Sequence, residues 1–169
     1  GFAARRAEAA SRGRLRGIGL ACTIEQAAGP QTETAEIRFD PSGTVTLLVG
    51  TTPHGQGHET IYKQLVCERL GLVPEDIRVV EGDTDKVAFG TGTGGSRSAT
   101  IGTSAVFEAV GKVVEKARVL AGHMMEAAEA DIEFEEGKFK VSGTDKTVRF
   151  TEVAKTSFQS ARLPDGMEP

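Results

Sequence analysis

The chain is organised around Gly90-Thr91-Gly92-Thr93-Gly94-Gly95-Ser96-Arg97-Ser98, a loop of small residues that directly precedes a long apolar run with helical periodicity. An earlier loop, Gly55-Gln56-Gly57-His58-Glu59-Thr60, precedes a shorter helical run. Glycines let the backbone turn sharply, and they let another molecule approach the peptide N–H groups closely. A helix N-terminus adds unpaired N–H donors and partial positive charge. The two loops together therefore predict a clamp for a phosphate-bearing or otherwise anion-rich ligand.

The apolar spacing around these loops predicts an α+β fold. Between residues 44 and 49, apolar residues occupy odd-numbered and even-numbered positions, so both faces of a strand here would be apolar. This pattern is typical of a central strand covered on both faces. Helical spacing predicts one helix over residues 59–70, ended by Gly71, and a long helix from about 101 to 124. Residues 77–80 form a further short strand. This order of elements predicts a mixed β-sheet with the two main helices packed on one face.

The segments on either side complete the predicted fold. Near the N-terminus, apolar residues alternate strictly with Gly, Ala and Thr, which predicts a strand with one buried face; its apolar members are Ile18, Leu20, Cys22 and Ile24. Gly29-Pro30 breaks it, and a second strand runs through residues 35–39 to a type I turn at 40–43. The C-terminal part predicts a small hairpin over 132–141, another short strand through Val148 and Phe150, and a last helix over 152–158 capped by Thr151.

Composition and charge set the domain organisation and the class of protein. Residues 1–16 hold five arginines and one glutamate, whereas the whole chain carries a net charge of −4. We expect an N-terminal linker or surface helix over 1–16 and a single domain over 17–169. The basic arm has Phe2 as its one aromatic residue and the body is acidic, which argues against nucleic-acid binding. The sequence contains no apolar run of membrane-spanning length and no signal peptide, which predicts a cytoplasmic protein.

Common catalytic and metal-binding motifs are a poor match. Gly90-x-Gly92-x-x-Gly95 does not directly follow a strand, as a dinucleotide-binding loop would. On the residues alone it is either a flexible turn without a ligand or an oxyanion- or phosphate-binding nest. His54 and His58 are separated by glycines that prevent a continuous helix, which excludes a helical zinc pair.

Two serines and the two cysteines complete this list. Ser96 and Ser98 have no base at motif spacing. Cys22 and Cys67 are too isolated for a disulfide framework or a metal site, so we expect two reduced thiols.

Two polar side chains leave alternatives open. Gln56 stands between two glycines, and its amide both donates and accepts hydrogen bonds. It therefore either reads the polar edge of a ligand or is an exposed loop amide. Arg97, at the predicted start of the long helix, pairs with a ligand phosphate or with Asp83 or Asp85.

Three motifs in a fixed order carry a family resemblance: Gly55–Thr60, Glu81-Gly82-Asp83-Thr84-Asp85, and Gly92–Ser98. Their spacing resembles the large subunit of the xanthine dehydrogenase, aldehyde oxidase and carbon monoxide dehydrogenase family of molybdenum hydroxylases. The flanks, from Arg16 to the exit segment 163–169, match as well, so the resemblance covers nearly all of the chain. The Gly-Ser-Arg-Ser form at 95–98 is more similar to the carbon monoxide dehydrogenase-like branch.

The resemblance implies a molybdopterin cofactor, often a cytosine dinucleotide in bacteria, held by backbone amides and loop side chains. It implies that the first loop binds through Gly55, Gly57 and His58, with Gln56 bonding the cofactor through its amide. In the second loop, Thr93, Gly94, Gly95 and Ser96 wrap the pterin, with Gly95 nearest the metal's ligands, and Arg97 and Ser98 support the loop or the phosphates. No residue ligates molybdenum directly, because the pterin dithiolene does so.

The resemblance also implies what this stretch of sequence lacks. The family's glutamate base lies in a Gly-x-Gly-Glu segment that is absent here, so we expect no catalytic residue in this chain and no turnover by it alone. We expect the chain to be an excised piece whose partners are the rest of the large subunit and iron–sulfur and FAD subunits. The alternatives are a stand-alone nucleotide- or phosphate-binding module and a structural domain whose loops bind nothing.

Overall fold

The structure, a computed structural model, describes residues 1–24, 29 and 32–168. After a first helix, α1 (Phe2–Ser11), it contains a three-stranded sheet of β1 (Ala35–Phe39), β2 (Val45–Val49) and β3 (Ile77–Glu81) in that order. β1 is antiparallel to β2 and β2 is parallel to β3. The predicted mixed sheet is therefore present, and all three described strands fall where the sequence predicts them.

Two helices cover one face of this sheet. α2 spans His58–Leu70 and ends at Gly71, whose φ of 66° is the left-handed conformation that favours glycine. α3 spans Thr103–Met125 after a π-helical turn over Ser98–Gly102. The main core lies between sheet and helices; from these elements it contains Val45, Leu47, Val49, Tyr62, Val66, Leu70, Val106, Val110 and Leu120. Leu48 is also buried, so β2 is covered on both faces as predicted.

The C-terminal part forms a second small sheet and a last helix. β4 (Ile132–Glu135), β5 (Lys138–Val141) and β6 (Thr147–Arg149) are antiparallel neighbours, and α4 (Phe150–Ser157) follows at once. Phe150 begins the helix rather than ending the strand. The predicted Thr151 cap is wrong: the helix starts after Arg149, whose backbone N–H donates to the Glu152 carboxylate at 3.1 Å. The glutamate three positions on therefore defines this helix start.

The predicted strand through Ile18 and Ile24 is not formed. The described residues 14–24 carry no strand or helix, and Ile18 and Ile24 are 74% and 100% exposed. The pattern has one apolar face, as predicted, but within the described chain this face meets no partner. Pro30, in the predicted break after this segment, and Pro169, at the end of the exit segment, lie outside the described residues. No helix in the described part of the chain is long and apolar enough to cross a membrane.

Candidate functional site

Both glycine loops lie at one edge of the first sheet. β2 and β3 run parallel, so their carboxyl ends meet at the same edge, which is where open α/β sheets bind ligands. The first loop, residues 50–57, follows β2, and the second loop, residues 82–97, follows β3. The sheet therefore brings together two loops that the sequence separates by about 25 residues, roughly the length of one strand–helix unit.

The bases of the loops cross in direct backbone contact. A Cβ atom on Gly50 would lie 2.5 Å from the Gly90 Cα, and one on Gly90 would lie 2.4 Å from the Gly50 Cα. Contacts this short do not occur for real side chains, so both positions require glycine. The Gly92 N–H donates to the Gly50 carbonyl at 3.1 Å and closes the crossing. Packing inside the chain explains these glycines without a ligand.

Thr93 joins the two loops above this crossing. Its Oγ1 accepts from the Thr52 N–H at 3.0 Å and donates to the Thr52 carbonyl at 2.7 Å. The Thr93 N–H donates to the Thr52 Oγ1 at 3.2 Å. A further hydroxyl contact of 2.9 Å links Thr93 to the Ser98 Oγ. The polar groups of Thr93 are thus engaged inside the protein, where they fix the spacing of the loops.

A buried network beneath the loops centres on Glu81, the last residue of β3. The Glu81 Oε1 lies 2.9 Å from the His58 Nδ1, and the two side chains are 4% and 3% exposed. The same oxygen accepts a hydrogen bond from the Thr51 hydroxyl. Thr51 contacts the Tyr62 hydroxyl at 3.1 Å, and Tyr62 donates to the Ser98 carbonyl at 3.2 Å. One carboxylate therefore connects the start of α2, the end of β2 and the end of the second loop.

The buried environment of Tyr62 shifts the pKa of its phenol. Burial disfavours the charged phenolate and raises the pKa of Tyr62, while the Thr51 hydrogen bond acts in the opposite direction with smaller effect. The nearby Glu81 carboxylate also raises the pKa. The phenol therefore remains a neutral donor to the Ser98 carbonyl well into the alkaline range.

Arg97 is an internal support of the second loop. Its side chain is 2% exposed, and its Nη1 lies 2.5 Å from the Glu33 carboxylate, whose side chain is 0% exposed. The guanidinium also donates to the Gly92 and Thr32 carbonyls, each at 2.7 Å. The predicted pairing with Asp83 or Asp85 is wrong, since the carboxylate partner of Arg97 is Glu33. This burial favours loop support over direct contact with a ligand phosphate.

The tip of the first loop is open to solvent. Gly55 and Gly57 have φ values of 86° and 84°, and a Cβ on either would meet nothing within 4 Å. Between them, the Gln56 Oε1 accepts from the His54 N–H at 2.5 Å. This hydrogen bond uses the carbonyl side of the carboxamide, so the amide nitrogen is the group available to donate to a ligand. The geometry thus specifies a donor role for Gln56.

The tip of the second loop is open in the same way. Gly94, Gly95 and Ser96 are exposed, and a Cβ on Gly94 would meet nothing within 4 Å. Gly94 does not have a positive φ, so neither conformation nor packing within the described residues requires glycine there. Ser96 has a φ of 52°, an uncommon conformation for a residue with a side chain, and such strain concentrates at ligand sites. Open space at Gly94 therefore lies close to the strained backbone of Ser96.

The ten predicted site residues divide into two groups by exposure and bonding. Those with open or exposed positions are Gly55, Gln56, Gly57, Gly94, Gly95 and Ser96. Those held inside by hydrogen bonds are His58, Thr93, Arg97 and Ser98. Sequence reasoning missed Glu33, Thr51 and Tyr62, and assigned no role to Glu81 beyond its motif. The described residues contain no cluster of three or more His, Cys, Asp or Glu side chains suited to a metal ion.

Comparison with known families identifies the family of the chain. The family model described as "Molybdopterin cofactor-binding domain" matches residues 1–166. The chain belongs to this family. The resemblance to molybdenum hydroxylase large subunits, drawn from three motifs, is thereby confirmed.

The individual relatives that the chain matches are much longer proteins. It is 39% identical to the carbon monoxide dehydrogenase large chain of Hydrogenophaga pseudoflava over 99% of this chain and 22% of that one. It is 38% identical to the 6-hydroxypseudooxynicotine dehydrogenase complex subunit gamma of Paenarthrobacter nicotinovorans over 93% of this chain. The chain covers 20% of that relative. The molybdopterin-binding chain thus spans about a fifth of the length of these relatives.

A solved structure confirms the fold. The chain superposes on a Cu,Mo-CO dehydrogenase, in its carbon monoxide reduced state, with a TM-score of 0.78 and 39% identity. The match covers 82% of this chain and 17% of the other. The predicted α+β class and carbon monoxide dehydrogenase-like branch are both supported by this match.

Proposed function

We propose that this chain forms one wall of the molybdopterin site in the large subunit of a molybdenum-dependent oxidoreductase. The observation that carries the proposal is the pairing of two open loop tips above one buried network. The open backbone at Gly94, together with the strained Ser96, suits close approach by a ligand rich in hydrogen-bond acceptors. Membership in the molybdopterin-binding family, together with relatives named as dehydrogenases, supports molybdopterin as that ligand.

The exposed residues bind the cofactor. Gln56 donates from its amide nitrogen, while Gly94, Gly95 and Ser96 present backbone N–H groups, so the cofactor's oxygen and nitrogen acceptors are satisfied without a bulky side chain in the way. When bound, molybdopterin supplies the redox chemistry at molybdenum, and the protein supplies position and hydrogen bonds. Gly55 and Gly57, with positive φ values, keep the first loop in the conformation that presents Gln56.

The buried residues hold these groups in place. Arg97 fixes the second loop from below through Glu33 and two backbone carbonyls. Thr93 and Ser98 fix its distance from the first loop. His58 anchors the start of α2 on Glu81. These four predicted site residues therefore act on the cofactor through the loops they position, which is how a supporting shell keeps a binding site preorganised.

The remaining features that we propose for the full protein rest on the family resemblance. We infer that the cofactor is a pterin cytosine dinucleotide and that the large subunit oxidises an aldehyde, an N-heterocycle or carbon monoxide with water-derived oxygen. Electrons leave through iron–sulfur and FAD subunits, and the complex is cytoplasmic. The catalytic glutamate lies in a part of the large subunit outside residues 1–169, so this chain alone is not catalytic. Aldehyde or purine oxidation by the purified chain would contradict that assignment.

The test is cofactor content of the full-length subunit, co-expressed with its partner subunits in a host that makes molybdopterin dinucleotides. Molybdenum is measured by elemental analysis, and the nucleotide is measured after acid release. We expect about one of each per wild-type subunit, and a loss of at least about tenfold for Gly94→Ala, because the new methyl group occupies the approach to the loop backbone.

Gly111→Ala is the matched control. Gly111 lies in α3, and a Cβ there would also meet nothing within 4 Å. The same substitution therefore adds the same methyl group without a clash, but away from the loops, and we expect full cofactor content. Equal content in both variants would contradict the role of the second loop. Wild-type subunit that binds a nucleotide or phosphate without molybdenum would favour the stand-alone module instead.

A further inference from the structure

One edge of the first sheet is open for pairing. Among the described strands of this sheet, β1 is one of the two edge strands and pairs with β2 on one side. The Thr34 carbonyl accepts from Gly50 N–H at 3.2 Å, and the Asp40 N–H donates to the Thr44 carbonyl at 3.0 Å. Bonded residues alternate along an antiparallel strand, so even-numbered positions of β1 face β2. The odd-numbered positions direct their N–H and C=O groups toward the open edge, where a further strand can pair.

An apolar groove of about 470 Å³ runs beside this edge on the helix-covered side of the sheet. It lies between β1, α3 and α4, and its apolar lining includes Ile37, Phe39, Val113, Leu120, Val153 and Phe158. A strand added to β1 sends every second side chain to the same face as Ile37 and Phe39. The groove is therefore positioned to receive the apolar face of an added strand.

Residues 17–24 have the pattern that such a strand needs. Ile18, Leu20 and Ile24 are 74%, 92% and 100% exposed, and Cys22 between them is exposed as well. The intervening positions are Gly17, Gly19, Ala21 and Thr23, which are small or polar. Three large exposed apolar side chains on one alternating face are an interaction surface without a partner in the described chain.

We propose that residues 17–24 add to the open edge of β1 as a fourth, antiparallel strand that covers the apolar groove. We place Leu20 opposite Phe39 and Cys22 opposite Ile37, a register that keeps the apolar side chains of both strands on the face that is covered by the helices. The ten residues 25–34 connect the two segments in sequence, and Gly29 lies close to Gly95 in the second loop. This tether raises the effective concentration of the segment at the edge above that of any separate partner.

The test compares the reactivity of two neighbouring thiols in the 169-residue chain. In the Cys67→Ala chain, Cys22 is the single thiol. In the matched chain, which carries Cys67→Ala, Cys22→Ser and Ala21→Cys, the single thiol is at position 21 and lies on the opposite face of the added strand. Docking buries the Cys22 thiol in the groove and leaves the thiol of the matched chain beside the exposed Arg38. We expect iodoacetamide to alkylate Cys22 at least about tenfold more slowly than the matched thiol, as local protection requires.

Adding Leu20→Asp to the Cys22 chain places a carboxylate on the docking face, and we expect it to restore fast alkylation while circular dichroism shows an unchanged fold. Two thiols of equal reactivity in the folded chain would overturn the proposal. Protection of Cys22 that grows with chain concentration, with a dimer in sedimentation, would also overturn it by identifying a second copy as the occupant. Neither result depends on the cofactor, so the test is independent of the proposed function.

Discussion

Two ion pairs of equal length allow a direct test of the support role of Arg97. Arg97 and Glu33 approach to 2.5 Å with side chains 2% and 0% exposed, whereas Arg38 and Glu36 approach to 2.5 Å with 57% and 49% exposed. Distance alone predicts equal contributions to stability. Burial predicts that replacing Arg97 by Met destabilises the chain strongly, while Arg38→Met changes little, because water and salt screen the exposed pair.

The magnitude follows from what Arg97→Met leaves behind. The Glu33 carboxylate stays buried without its cation, and the Gly92 and Thr32 carbonyls lose a donor. Removing one partner of a buried pair costs about 3–5 kcal/mol, most of it from the uncompensated charge. A domain of this size is stable by about 5–15 kcal/mol. The substitution therefore removes about a fifth or more of the free energy of unfolding and loosens the second loop.

The assay is urea unfolding of the 169-residue chain at neutral pH, followed by circular dichroism. The double variant Arg97→Met, Glu33→Gln removes both charges together, and we expect it to be more stable than Arg97→Met alone. That recovery separates an uncompensated charge from simple loss of packing. The reasoning is refuted if Arg97→Met shifts the unfolding midpoint no more than Arg38→Met does, or if Glu33→Gln brings no recovery.

Three further predictions address the network and the glycines. Tyr62 is the single tyrosine and the chain has no tryptophan, so phenolate absorbance reports the ionisation of Tyr62 alone. We expect the pH midpoint of this ionisation to be higher in the folded chain than in the urea-unfolded chain. Because the phenol ionises more readily in the unfolded chain, the free energy of unfolding should be at its full value below pH about 10 and fall as the pH rises further. Gly50→Ala forces a methyl group against Gly90 and should lower the urea midpoint sharply. Gly94→Ala should leave the midpoint unchanged in this chain, so its loss of cofactor in the full subunit would not reflect misfolding.

The sequence was sufficient to predict the elements because each has a local signal. The apolar run at 44–49 and the spacing along α2 and α3 predicted a covered central strand and two helices, all confirmed. The resemblance rested on three motifs in order, and the family match confirms it. Alternation at 18–24 predicted a strand with one buried face, which the structure does not form, because alternation specifies only a face. Whether that face is buried depends on a partner edge, which no local pattern identifies.

The supporting side chains were not predictable for a related reason. The sequence left Arg97 to pair with a ligand phosphate or with an aspartate 12 or 14 positions away, but in the structure it pairs with Glu33, 64 positions away. The link from Thr51 to Glu81 spans 30 positions and that from Tyr62 to Ser98 spans 36. These contacts form only when β2 and β3 pair in parallel in the folded sheet. The sequence therefore shows which residues are present but not which of them contact one another.

The structure separates glycines that the sequence shows as one class. Gly50 and Gly90 are required by their own backbone contact, so they indicate a fold and not a ligand. At Gly94 neither packing nor φ requires glycine, so the space there is available to another molecule. The binding signal of the glycine-rich stretch is thus concentrated at its exposed tip, residues 94–96. Its buried part, from Thr93 and Arg97 down to Glu81, contains the groups that hold the tip in place. This division fits the proposed role of the loop as a holder of the cofactor, because the side chains of His58, Arg97 and Ser98 are buried.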